Sequence, residues 1–195
     1  LGHELLIVPR SPQGKLVHRE AQGLERRLLV RTLCSWSVLA TAVMQVVRHP
    51  IRCLKAVSML FRSRNWAMLM RNLAVAPKGL WVGHVARTWK ADHIHVQWAT
   101  TTATIAMIAS VVSGVSWSLT AHRGDIADDN LLAVKMGHAS LVRFISRDGV
   151  RMARALVADW PADKAVVIHM GVRLPKAETT SLPSPEIPVT MCTAN

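Results

Sequence analysis

Four short apolar segments in the second half of the chain each end in polar residues, and this pattern constrains the fold more than any other feature. Strands are predicted at residues 94–98, 115–121, 139–145 and 164–168. Helices are predicted between them, at residues 101–112, 130–138 and 147–159. Alternating strands and helices indicate βαβ units, so the sequence predicts an α/β fold with a parallel sheet flanked by helices.

The first half of the chain has a different pattern. Residues 5–8 form a continuous apolar run, which predicts a strand buried on both faces. From about residue 24 to residue 90 apolar residues recur at helical spacing, which predicts a helix-rich basic insertion. Pro50 and Pro77 punctuate this region, and each is predicted to open a new helix.

The charge of the chain is concentrated in this helical region. The formal net charge is +12, and residues 26–91 contain twelve Lys or Arg and no Asp or Glu. Such a block indicates an anionic partner, namely lipid headgroups, nucleic acid or a phosphorylated substrate, unless it is only a solvated surface. Tryptophans interleaved with the basic residues suit a membrane interface, although tryptophan at helical spacing is more often core. No segment qualifies as a membrane span: the uncharged residues 32–47 are too few, and the longer uncharged stretch 96–121 is broken at Ser113-Gly114 into a helix and a strand.

Cysteine usage bears on the redox compartment of the protein, and missing motifs exclude several classes of site. The chain has 3 cysteines without a C-x-x-C pair, which favours a reduced, cytosolic setting. Residues 114–118 begin like a nucleophile elbow but lack its final glycine. Neither a G-x-G-x-x-G sequence nor a Walker A sequence is present.

Histidines near strand ends are the candidate functional residues. His93 and His95 alternate with apolar residues and therefore share one face of a strand, but no third ligand is evident, so we predict no metal site. We expect His93 to be a hydrogen-bonded core histidine and His95 to contact substrate. His122 follows a strand directly and can exchange hydrogen bonds or protons with a substrate oxygen near neutral pH.

Other polar residues follow the same strands. Gly124 allows a tight turn, and Asp125 either orients a basic side chain or a hydroxyl or only caps the next helix. Ser146 is a helix cap or a ligand contact, and His169 and Gly171 end the last strand in the same ambiguous way.

Four motifs together resemble successive strand ends of family 4 glycosyltransferases. They are His-Ile-His-Val-Gln-Trp-Ala at 93–99, Ser-Leu-Thr-Ala-His-Arg-Gly-Asp-Ile at 118–126, Phe-Ile-Ser-Arg at 144–147 and Val-Ile-His-Met-Gly-Val at 167–172. The motifs resemble in particular those of the colanic-acid and exopolysaccharide biosynthesis enzymes. The resemblance covers about residues 1–174 and implies the acceptor-side N-terminal half of a GT-B fold, a Rossmann-like domain.

The resemblance also implies an organisation for the chain. Residues 1–174 would be an incomplete acceptor-side domain, 175–188 an interdomain linker and 189–195 the start of a C-terminal donor-binding domain. The first strand would lie upstream of Leu1, and most of the donor-binding domain would lie beyond Asn195. We therefore expect the chain to be truncated at both ends and not to transfer sugar efficiently alone.

The implied activity is transfer of a sugar from a nucleotide-sugar to a glycan or lipid-linked acceptor in polysaccharide biosynthesis, usually with retention and without a metal or cofactor. His122 would be the catalytic residue, facing the donor sugar. The predicted substrate-binding residues are His95, Gln97, Arg123, Asp125, Ser146, His169 and Gly171. The family often has a histidine where this chain has Gln97.

The implied location is cytoplasmic and peripheral at the inner face of the cell membrane, with residues 26–90 near anionic lipid and no specific nucleic acid as partner. The alternative is a non-catalytic basic binding module, for membrane or nucleic acid, on a Rossmann-like scaffold.

Overall fold

A computed structural model describes residues 2, 4–12 and 23–171. The predicted linker at 175–188 and the predicted domain start at 189–195 lie outside these residues. The described chain is an α/β structure with a four-stranded, all-parallel sheet, which confirms the predicted class and is consistent with a Rossmann-like fold. The strands lie side by side in chain order: β1 His93–Gln97, β2 Ser116–Ala121, β3 Leu141–Phe144 and β4 Ala165–Val167.

Seven α-helices accompany the sheet in the described residues. They are α1 Trp36–Arg48, α2 Pro50–Ser58, α3 Trp66–Thr88, α4 Thr101–Ser113, α5 Arg123–Asp128, α6 Leu132–His138 and α7 Arg147–Leu156. Short 3₁₀ turns occupy Glu25–Arg27 and Met59–Arg62. Helix α4 packs against β1 and β2, α3 packs against α4, and α1 and α2 pack against this helix pair.

The two faces of the sheet differ in chemistry. Residues alternate between faces along a strand, and the face that carries Trp117, Leu119 and Phe144 is buried in the main hydrophobic core. The register places His95 beside Ser118 and Thr120 beside Arg143 on the opposite face. Parallel sheets are usually apolar on both faces, so this polar face is unusual. Its polar residues continue along the strands to their carboxyl ends.

Two predictions about the first half of the chain are wrong. Residues 5–8 do not form a strand. Ile7 alone makes a parallel bridge, to Leu28, because the hydrogen bonds to this neighbouring segment involve only the N–H and the carbonyl of Ile7. Pro77 opens no helix and lies inside α3. The actual start is set by Asn65, whose side chain accepts a hydrogen bond from the Met68 N–H. Pro50, as predicted, is the first residue of α2.

Helix α3 stays in one piece through Pro77 because it packs closely along α4. A Cβ atom added to Gly79 would lie 2.8 Å from Ile108 Cβ. One added to Gly83 would lie 2.3 Å from Val112 Cγ2 and 3.0 Å from the Ala109 carbonyl oxygen. The two glycines, one helical turn apart, therefore allow the two helix backbones to approach each other. This tertiary contact outweighs the cost of an interior proline.

We expect Gly83→Ala to destabilise the protein by about 1–3 kcal/mol, because the added methyl group overpacks the α3–α4 contact. Gly137→Ala is the matched control: Gly137 lies in α6 with nothing within 4 Å of its would-be Cβ. There the same change should stabilise the protein by about 0.5–1 kcal/mol through helix propensity. Urea unfolding of both variants measures the difference, and equal effects would contradict the close approach.

Candidate functional site

A cavity of about 400 Å³ opens at the carboxyl edge of the sheet. Its lining residues are Gln97, Trp98, Thr120, His122, Arg143, Ile145, Met170 and Gly171. They come from the ends of all four strands, as the general rule for ligand sites in open parallel sheets predicts. Three of the predicted site residues, Gln97, His122 and Gly171, therefore come together here.

Arg143 is the principal lining residue that sequence reasoning missed. It lies on the polar face of β3, beside Thr120 in the register. Its Nε donates to the Ile168 carbonyl at 3.0 Å and its Nη2 to the His169 carbonyl at 3.2 Å. The segment after β4 thus holds the guanidinium at the cavity. The remaining N–H groups of Arg143 have no acceptor within the described chain. The available signal was an arginine alternating with Val142 and Phe144.

His122 and Trp98 form the other side of the cavity. Their ring centroids are 6.0 Å apart with the planes tilted by 33°. Trp98 has a φ of 67°, a left-handed conformation that is uncommon for a bulky residue, and its side chain is 52% exposed. A left-handed backbone conformation that presents an exposed indole beside an imidazole at a strand end is consistent with a ligand-contacting position.

The backbone of Ala99 is held by two ionisable side chains, an arrangement that we call the Ala99 clamp. Asp125 Oδ2 accepts hydrogen bonds from the Ala99 N–H at 2.9 Å and the His122 N–H at 3.1 Å. Lys135 Nζ donates to the carbonyls of Ala99 and Thr100, each at 2.8 Å. Asp125 therefore joins the two loops that carry Trp98 and His122, which makes it a positioning residue.

Lys135 is fully buried in α6. Besides the Ala99 clamp, its Nζ donates to the Asn130 carbonyl. Burial lowers the pKa of Lys135 from 10.5 to about 7, although Asp128, Asp125 and Asp129 partly offset this by favouring the charged form. Sequence reasoning did not single it out, because nothing in the helical pattern distinguishes a buried lysine from a solvated one.

A buried amide network connects the Ala99 clamp to the long helix. Asn72 of α3 donates to Asn130 Oδ1 at 2.8 Å and accepts from Thr104 Oγ1 of α4 at 2.8 Å. Asn130 in turn accepts from Lys135 through its carbonyl. The helical region and the cavity loops are therefore parts of one hydrogen-bonded unit.

The two histidines of β1 lie on the polar face of the sheet, outside the lining of the carboxyl-edge cavity. His93 contacts the hydroxyls of Ser116 at 2.8 Å and Ser118 at 2.7 Å, and His95 contacts Ser118 at 2.8 Å and Thr120 at 3.3 Å. The expectation that His93 is a core histidine is wrong, because the polar face leaves it exposed, although it is hydrogen-bonded as expected. Burial, then the nearby His93 and Arg143, lower the pKa of His95.

Neither histidine of β1 lines the carboxyl-edge cavity, but His95 contacts two residues that do, Thr120 at 3.3 Å and Gln97 at 3.5 Å. Within the described residues no three His, Cys, Asp or Glu side chains are grouped as a metal site would require.

The other predicted site residues surround the cavity without lining it. Arg123 is exposed in the first turn of α5. Ser146 caps α7 by accepting from the Gly149 N–H at 3.1 Å. His169 Nδ1 lies 3.0 Å from the Ile145 carbonyl. Gly124 was expected in a tight turn but lies within α5. The helix begins just after His122, because Asp125 Oδ2 accepts a hydrogen bond from the His122 N–H.

A second cavity, of about 240 Å³, lies beside the free edge of β1 and is mainly apolar. Lys78 faces it, but its Nζ already donates to the carbonyls of Pro9, Arg10 and Arg31. His93 and His95 also line this cavity, but it lies along the edge of a strand and not at the carboxyl ends of the strands, so we consider the carboxyl-edge cavity the candidate site.

No known family model, curated protein or solved structure matches this chain. None of the helices in the described residues combines the length and the apolarity that crossing a bilayer requires.

Proposed function

We propose that the chain forms the acceptor-side wall of a GT-B glycosyltransferase of family 4. This enzyme would transfer a sugar from a nucleotide-sugar to a glycan or lipid-linked acceptor in polysaccharide biosynthesis, with retention. The observation that supports this most is the pair of His122 and Arg143 in one carboxyl-edge cavity whose lining residues include no carboxylate.

The chemistry of sugar transfer requires such an environment. The bond between the anomeric carbon and a phosphate oxygen breaks, and negative charge develops on the departing diphosphate. The acceptor hydroxyl oxygen bonds to the anomeric carbon, and its proton passes to the departing diphosphate. A guanidinium pairs with phosphate oxygens through two parallel hydrogen bonds. Because Arg143 is already held by the Ile168 and His169 carbonyls, it needs little reorganisation to stabilise that charge.

His122 and Trp98 suit the sugar itself. An imidazole both donates and accepts hydrogen bonds, so His122 can bind a sugar hydroxyl or a phosphate oxygen as the glycosidic bond breaks. The exposed face of Trp98, 6.0 Å from the His122 ring, offers an apolar surface for the carbon side of a sugar ring. Gln97 and Thr120 add neutral polar groups that match hydroxyls.

A non-catalytic basic binding module is the second candidate. The observation that favours its membrane form is the exposure of apolar side chains among the cations of α1 and α2. No comparable observation favours nucleic acid.

We expect Arg143→Gln to weaken binding of a nucleotide-sugar about 10- to 100-fold, because a hydrogen bond to a charged group contributes about 1.5–3 kcal/mol. The measurement is titration calorimetry with uridine and guanosine diphosphate sugars on the polypeptide encoded by the whole open reading frame. Arg147→Gln is the matched control, since Arg147 is exposed nearby but does not line the cavity.

Two results would overturn the proposal. One is wild-type affinity in the Arg143→Gln variant while the control behaves in the same way. The other is the absence of binding for every nucleotide-sugar tested.

A further inference from the structure

The seven most exposed large apolar side chains of the described chain all lie between residues 36 and 66, with 65–83% of their surface accessible. They are Trp36, Val43, Val47, Ile51, Leu54, Phe61 and Trp66. Single exposed apolar residues are normal on protein surfaces, but a concentration of them marks an interaction site. We call this set the docking surface.

Helix α1 has two apolar faces. Val38 and Ala42 are buried on one of them. At about 100° per residue, Trp36, Val43 and Val47 fall within roughly 40° of one another on the opposite face. The helix contains no charged residue before Arg48. Core packing accounts for the first face only.

Helix α2 and the following 3₁₀ turn extend the docking surface. Cys53 and Ala56 are buried, whereas Ile51 and Leu54 are exposed. Since α1 packs against α3 and α2 against α4, which themselves pack together, the buried sides of α1 and α2 face that pair and their exposed sides face away from it.

Cations accompany these apolar residues. The exposed basic residues from the end of α1 to the start of α3 are Arg48, Arg52, Lys55, Arg62, Arg64 and Arg71. Residues 26–91 contain no carboxylate, and none of these cations forms a salt bridge within the described part of the chain. The net field over the docking surface is therefore strongly positive.

We propose that the docking surface binds an anionic phospholipid bilayer, with α1 and α2 lying in the plane of the interface. Trp and Phe side chains together with aliphatic ones enter the headgroup and acyl boundary of a bilayer, and Lys and Arg pair with anionic headgroups. The inference rests on these helices alone and is independent of the proposed sugar transfer.

The chemistry distinguishes a bilayer from other occupants. In a symmetric dimer the six cations of one copy would face the six cations of the other without any carboxylate from residues 26–91, which is unfavourable. Nucleic acid would satisfy the cations but would leave Val43, Val47 and Ile51 without an apolar partner. Of these three occupants, the anionic membrane is the one that satisfies both sets.

The first experiment measures partition onto vesicles of phosphatidylcholine with and without phosphatidylglycerol, at low and high salt. We expect retention that requires phosphatidylglycerol and falls with salt. Arg62→Gln should lower the partition coefficient about fivefold, the effect of one basic residue near an anionic surface. Val47→Gln and Ile51→Gln should each lower it about tenfold, because each removes one buried aliphatic side chain.

Two matched controls lie elsewhere on the surface. Leu156→Gln replaces an exposed apolar residue at the end of α7, and Arg147→Gln neutralises an exposed cation at the start of the same helix. Both should partition like the wild type. Circular dichroism of every variant confirms that these surface substitutions leave the fold intact.

The second experiment reports depth. Phosphatidylglycerol vesicles with brominated acyl chains should quench the fluorescence of bound protein, and Trp36→Phe with Trp66→Phe should remove most of that quenching while retaining binding. Trp117→Phe is the control, because Trp117 is buried in the core.

The proposal is overturned if the protein stays in solution with anionic vesicles, or if Val47→Gln and Ile51→Gln partition like the wild type. It is also overturned if light scattering shows a dimer that these variants abolish, or if duplex DNA binds more tightly than the vesicles at equal salt.

Discussion

Lys135→Met is expected to lower the free energy of unfolding by about 3 kcal/mol, because it leaves buried carbonyl oxygens without donors at about 1–3 kcal/mol each. Methionine is close to lysine in volume, so packing changes little. The carbonyls of Ala99 and Asn130 lose their contact with Nζ, and the Thr100 carbonyl loses its contact as well. Urea unfolding at pH 7 measures the difference.

The same variant should change how stability depends on pH. Lys135 has a pKa of about 7 in the folded protein and 10.5 as the reference for the unfolded chain. Between these values the unfolded state binds the proton and the folded state does not, so stability rises with pH by up to about 1.4 kcal/mol per unit. This contribution is complete above pH 10.5 and is lost as the pH falls to 7.

The alkaline window is accessible because the chain contains no tyrosine. Burial also lowers the pKa of Lys78 and raises the pKa of Cys53, so the Lys135→Met variant retains slopes of opposite sign from these two residues. Subtracting the Lys135→Met curve from the wild-type curve isolates Lys135.

Lys164→Met is the matched control, since among the described residues Lys164 donates to the Gly137 carbonyl alone, in an exposed setting. We expect it to change stability by less than about 0.5 kcal/mol. A Lys135→Met variant as stable as this control would show that Lys135 contributes nothing to folding through the Ala99 clamp. An unchanged pH slope would show that the pKa of Lys135 is not lowered in the folded protein.

Much of the sheet was predictable from residues 93–168 because its signals are local. Apolar runs, a Ser146 cap and a change of period fix β1 to β4 and α7 without long-range information. Pro77 shows the limit of this reasoning: a proline is a local signal for a helix start, but Gly79 and Gly83 pack against α4 and keep α3 continuous. Contacts between residues about thirty positions apart decided the outcome, and periodicity does not contain them.

The residues of the candidate site likewise fall into those that the sequence predicts and those that it does not. His122 and Gln97 were predictable because a strand end is visible in sequence, and the sheet brings such ends together. Arg143 and Lys135 were not, since each is a cation inside an otherwise ordinary amphipathic pattern. Arg143 matters because β3 lies beside β2, and Lys135 because α6 packs under the loop at Ala99. Both depend on the arrangement of elements in space.

His122→Ala is the substitution with the largest expected effect on activity. In the polypeptide encoded by the whole open reading frame, we expect kcat for sugar transfer to fall about 100- to 1,000-fold, the usual cost of removing one hydrogen bond to charge that develops in the transition state. The fold should survive, because the half of the capping box in which Asp125 Oδ2 accepts from the backbone N–H of residue 122 does not need the imidazole.

The pattern of kinetic constants separates a catalytic role from a positioning role. A group that acts mainly in the transition state lowers kcat and kcat/KM together and leaves KM for the donor nearly unchanged. Asp125→Asn, which perturbs the loops of Trp98 and His122, should instead change kcat and KM together. His93→Ala is the matched histidine control at the far end of β1, and it should retain wild-type transfer. Full transfer activity in His122→Ala would exclude the catalytic assignment, and the sugar would then have to be held by Arg143 and Gln97 without it.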